Sequence, residues 1–220
     1  MGISAAPRDY RTLIAVASLI VGPLLMSIGD LIHPEERMDS AEQIAILADH
    51  ASRWYAAHLL LFIGMMLAIP GLLALASLTA ERSPAAGYAA RILTLIGAAA
   101  FTSIFLGEML IGRFVTDGGD SAAATDLLDI TLSGPIVAAV VPGVLAFFAG
   151  IAAFASPLVI AGGKLRWIAV LYSIGALLIL AEIISAQVIL SQIGNILIFC
   201  GGTTAAWLIL RGEIRLRVAG

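Results

Sequence analysis

The chain has 220 residues, 60% of them hydrophobic and 12% charged, with a formal net charge of −3 and a mean hydropathy of +1.03. That balance excludes an ordinary soluble domain, and its slight acidity gives no electrostatic footing for nucleic acid. A single cysteine, Cys200, excludes a disulfide framework.

A helix needs roughly 20 mostly apolar residues to cross a hydrocarbon core about 30 Å thick. Six stretches qualify, over residues 12–32, 54–79, 87–114, 131–156, 166–190 and 192–211. The expected fold is therefore all-α: one polytopic membrane domain of six transmembrane helices, with the lipid bilayer as its first partner.

The first span follows MGISAAPRDYR, which resembles a signal peptide. No small-residue cleavage site intervenes before Gly29-Asp30, so an uncleaved span is expected. It should end near Ile32, because His33 precedes Pro34 and the residue before proline is pushed out of the α region. In the segment that follows, Ser40 and Gln43 have capping-box spacing, and Ile44, Leu47 and Ala51 share a face. A short amphipathic helix along the membrane interface is expected, running on into the second span, with Trp54 and Tyr55 in the headgroup belt.

The second span contains Pro70 and should kink there. In the third, Ala99, Ser103 and Gly107 recur every four residues, a spacing that suits close helix approach. The segment Asp117-Gly-Gly-Asp120 then reads as a turn. Pro135 and Pro142 in the fourth span predict a bend or local unwinding. The polar SQIGN, Ser191–Asn195, is expected to turn the chain between the fifth and sixth spans, and Cys200 to lie buried and inert in the sixth.

Basic residues set the orientation. With the N-terminus inside, nine of the twelve Lys and Arg (Arg8, Arg11, Arg82, Arg91, Lys164, Arg166, Arg211, Arg215 and Arg217) fall in cytoplasmic segments. Only Arg37, Arg53 and Arg113 fall outside, among acidic loops, so both termini are expected in the cytoplasm and the amphipathic helix outside.

Ionisable groups at membrane depth are costly and mark functional positions. Here they are His58, Glu108 and Glu182, with Asp30 and His33 at the end of the first helix. At 1.5 Å per residue, His58 lies about 6 Å inside Trp54, Glu108 about 7.5 Å inside Arg113, and Glu182 about 13 Å from Ser191. All five fall in the outer half. Glu108 has no partner on its own helix: Arg113 is five residues on, about 140° around, and position 112 is glycine.

Three arrangements are compatible with this set. The first is a proton- or cation-binding pocket open to the outside, serving a small transport, sensing or accessory protein. The second is an intramembrane metal-dependent hydrolase with His58, Glu108 and Glu182 as ligands, although no HExxH or comparable metal motif occurs. The third is a non-catalytic subunit that binds a membrane partner or a second copy through its small-residue faces. Haem is disfavoured, because no histidine occurs in spans three to six and no CxxCH is present. Walker, GxSxG and dinucleotide motifs are absent.

The helical segment after the first span, the strings GYAARILTLIG and KLRWIAVLYSIGALL, and the ending AAWLILRGEI together resemble an uncharacterised family of bacterial six-helix membrane proteins known only as a domain of unknown function. That resemblance implies a bacterial inner membrane and transfers no activity or functional residue.

Overall fold

The computed structural model describes residues 9–131, 134–214 and 216. Arg8, Arg215 and Arg217 of the orientation count, and the side chain of Pro135, lie outside them.

Among the described residues there are eight helices and no strand: α1 (Tyr10–Ile32), α2 (Ser40–Asp49), α3 (Ala51–Ala80), α4 (Pro84–Thr116), α5 (Ser121–Thr131), α6 (Gly134–Ala161), α7 (Gly163–Ser185) and α8 (Val188–Leu210). Six of them, all but α2 and α5, are long and apolar enough to span a membrane.

The six long helices close into a ring. Each packs on two neighbours in the cyclic order α1, α3, α4, α6, α7, α8, with α8 returning to α1. Leu19, Met65, Leu75, Phe154, Ile168 and Tyr172 fill the interior, all nearly or fully buried. Glycine permits the tightest crossings. A Cβ on Gly22 would stand 2.6 Å from the backbone nitrogen of Ala68, and one on Gly175 2.6 Å from the carbonyl oxygen of Gly194.

α2 and α5 lie across one end of the ring, called here the capped end, where Ile44 and Leu47 of α2 cluster with Trp54, Ile111, Ala124 and Leu128. At the opposite end Lys164 pairs with Glu213, and the Arg211 guanidinium sits 4.3 Å from the Trp207 ring centroid.

Several expectations are corrected here. The fourth span does not run 131–156. Residues 121–131 are a separate interface helix, started by Asp120, whose Oδ1 accepts from the Ala122 N–H at 3.2 Å. The spanning stretch of α6 is Ala138–Ala161, helical through Pro142 and Pro157 without unwinding. The chain turns between α7 and α8 at Ala186-Gln187, not at Ser191–Asn195, with Ala186 in the left-handed region at φ 53°. Glu182 is therefore three residues from its helix end, about 4.5 Å rather than 13 Å.

α2 is capped by Asp39, which accepts from the Glu42 N–H at 2.9 Å, while the Ser40 hydroxyl donates to Asp129 of α5 at 2.5 Å. The helix does not continue into α3, because His50 breaks it with φ −124° and ψ 26°. Ala99 and Ser103 face outward, and a Cβ on Gly107 would meet nothing within 4 Å, so among the described residues that stripe approaches no other helix. Cys200 is exposed on the bundle surface rather than buried.

Candidate functional site

Five helices and one loop aim polar side chains into the ring near its capped end. α1 delivers Asp30 in its last turn. Beyond Ile32 the chain leaves the helix as the His33-Pro34 pair requires, with His33 extended at φ −61° and ψ 133°, and this turns the imidazole inward. Arg53 stabilises that exit by donating from Nε to the Ile32 carbonyl at 2.5 Å and from Nη2 to the His33 carbonyl at 3.1 Å.

Trp54 and His58 stand one turn apart on α3 and share its inward face. Trp54 is buried rather than in a headgroup belt. Its indole packs against His33 and His58 at 4.9 and 4.5 Å between ring centroids, and its Nε1–H donates to the Glu108 carbonyl at 3.3 Å. Gly112, one turn beyond Glu108 on α4, leaves it room: a Cβ there would lie 3.1 Å from Trp54 Cδ1.

The centre is a contact between His58 Nε2 and Glu108 Oε2, with His33 Nε2 3.4 Å from the same imidazole nitrogen. The remaining ring nitrogens are committed to backbone: His58 Nδ1 lies 2.9 Å from the Trp54 carbonyl and His33 Nδ1 2.7 Å from the Pro34 carbonyl. A carbonyl only accepts, so each Nδ1 carries hydrogen. In its neutral form His58 then has only a lone pair at Nε2, and an ionised carboxylate has only lone pairs. Their contact therefore contains a proton, held as imidazolium facing carboxylate or as neutral imidazole facing carboxylic acid. His58 is 1% exposed, whereas the Glu108 side chain is 34% exposed, so one member of the pair is sealed within the bundle and the other lies partly open at its surface.

A second proton-sharing pair lies beside the first. Glu36, in the loop after α1, hydrogen-bonds the Glu182 carboxyl of α7, and two carboxyl groups bond only when a proton sits between them. Burial, then the Glu182 and Glu108 charges, push Glu36 up to about 9. Burial and the adjacent His58 hold His33 down at about 4. Asp30 completes the ring: its Oδ2 accepts from Asn195 Nδ2 at 2.6 Å and its backbone carbonyl from Gln192 Nε2 at 3.0 Å, both on α8. Asn195 Oδ1 is buried without a hydrogen-bond partner among the described residues.

The five sequence candidates thus face one interior but do not form one coordination sphere. His33, His58 and Glu108 are in direct contact, Asp30 bonds α8, and Glu182 goes to Glu36 instead of to His58 or Glu108. Among the described residues no group of three or more His, Cys, Asp or Glu has the geometry to hold a metal ion, so the His58, Glu108 and Glu182 ligand set is not assembled.

Sequence reasoning missed Glu36, Gln192 and Asn195. The two α8 residues did leave a signal: polar residues at 192 and 195 within an apolar run mark a helix face as well as they mark a turn. Glu36, one acid in an acidic loop, left none. No family model matches the chain, and no curated protein or solved structure shows significant similarity to it.

Proposed function

We propose that the chain is a small proton-handling membrane protein, serving transport, sensing or an accessory role, whose working groups are His58 and Glu108 with His33, Asp30 and the Glu36–Glu182 pair around them. The observation that carries this reading is the His58–Glu108 contact with both imidazole Nδ1 atoms tied to carbonyls, an arrangement that binds one exchangeable proton at a fixed point. In this reading the capped end faces outward and the termini lie in the cytoplasm of a bacterial inner membrane, in keeping with the basic-residue count and with the uncharacterised six-helix family the chain resembles.

Trp54 is a built-in reporter, because an imidazolium 4.5 Å from an indole perturbs its emission. With Trp167 and Trp207 replaced by Phe, Trp54 fluorescence in proteoliposomes should show, apart from the His33 step near pH 4, a pH transition that belongs to the His58–Glu108 pair. His58→Gln and Glu108→Gln should each abolish it while the protein still inserts. An unchanged transition in both variants overturns the reading.

A further inference from the structure

A second site lies at the capped end, beside the proton cluster. A cavity of about 480 Å³ opens between the end of α1, the loop after it, α2, the start of α3 and the first turns of α8. Its volume falls within the roughly 300–1,000 Å³ typical of small-molecule sites. Arg37, His50 and Arg53 line it together with the apolar side chains of Leu31 and Val188.

The charge pattern is the informative part. Among the described residues the only lysines or arginines at this end are Arg37, Arg53 and Arg113, and two of the three line one cavity. Segments around it are acidic, yet only one carboxylate, Glu35, lines it, held by Arg37 Nη2 at 2.6 Å. Arg53 spends its observed bonds on two neutral carbonyls, and among the described residues it has no ion pair. Its positive charge is therefore not cancelled by a carboxylate in contact with it.

We propose that this cavity binds an oxyanion of the phosphate class, seated against Arg53, His50 and Arg37, with Leu31 and Val188 offering an apolar wall to any chain attached to it. An anionic phospholipid headgroup and free phosphate share this chemistry, and guanidinium is suited to both. The cavity borders the proton cluster through His33, which lines it, but the proposed oxyanion contacts use neither His58 nor Glu108.

The test is thermal unfolding of the full chain in nanodiscs of phosphatidylcholine, with and without phosphatidylglycerol, and separately in phosphatidylcholine with millimolar inorganic phosphate against chloride at equal ionic strength. Binding to the folded state should raise the melting temperature by roughly 5 °C near saturation. A rise with phosphatidylglycerol alone identifies a lipid headgroup, and a rise with phosphate identifies a free oxyanion. Arg53→Ala would also open the end of α1, so the variants are the double substitution Arg37→Ala/His50→Ala, which removes two of the three proposed contacts, and Val188→Trp, which fills the cavity and keeps them. Each should reduce the rise by more than half, and Glu108→Gln should leave it intact. No rise with either anion, or an equal rise in wild type and both variants, overturns the site.

Discussion

Glu36 and His33 give the folded state opposite pH dependences. The unfolded chain releases the Glu36 proton near the ordinary 4.5, whereas the folded protein keeps it up to about 9. Folding thus binds a proton within that window. The Glu36 contribution to stability is complete below 4.5 and is lost as pH rises through 9. His33 runs the other way: its ordinary value of 6.5 is held down to about 4, so its contribution is present above 6.5 and lost as pH falls through 4. Glu36→Gln should therefore flatten the fall in melting temperature between pH 6 and 9, and His33→Gln should flatten the fall between pH 6.5 and 4. Melting curves at half-unit pH steps check both, and slopes equal to wild type would refute them. Asn195 has a different role. Replacing it with Leu leaves the buried Asp30 carboxylate without its 2.6 Å donor, and such an unpaired group costs about 1–3 kcal/mol. The melting temperature of Asn195→Leu should drop by several degrees, and Asp30→Asn should recover part of the loss.

At the scale of the elements, the cluster depends on how closely α1 meets α3. Gly22 and Ala68 allow that approach eight residues before Asp30, since a Cβ on Gly22 would overlap the Ala68 backbone. Gly22→Val must push the helices apart, at a cost of roughly 1–3 kcal/mol or more. It should also loosen the 3.4 Å contact between His33, just beyond the end of α1, and His58 of α3. Both a lower melting temperature and a broadened Trp54 pH transition are expected; an unchanged transition would show that the α1–α3 approach does not set the cluster. The same scale explains what was legible in the chain. The end of α1 was readable because proline acts on its immediate neighbour. The turn after α7 was not, because Ala186 enters the left-handed region with no glycine or proline to announce it, while the polar residues that looked like a turn are there to meet Asp30 across a helix contact. Trp54 misled for a related reason: an indole suits a headgroup belt and an imidazole stack equally well until its neighbours are known.

For the molecule as a whole, ring closure decides the site. α1 and α8 lie at opposite ends of the chain, yet their packing brings Asp30 within bonding distance of Asn195, 165 residues away. α3 and α4 are joined only by a short connection at the far end, so they return His58 and Glu108 to the capped end at matching height. The proposed orientation belongs to this scale and has a direct check. In a Cys200→Ser background, Met38→Cys, at a position 74% exposed beside α2, should react in intact cells with a membrane-impermeant thiol reagent. Labelling only after the cells are opened would reverse the orientation.

Six apolar helices, the end of the first, and the short roster of ionisable groups at membrane depth are all legible in the chain. These follow from composition, from a spacing set by bilayer thickness, and from the cost of charge in hydrocarbon, all of which act along the chain. The pairing came from the packing of the helices: Glu108 with His58, Glu182 with Glu36, Asp30 with Asn195. Hydrogen bonds reach about 3 Å and depend on direction. Which groups satisfy one another is set by the cyclic order and rotation of the helices, and one-dimensional spacing contains neither.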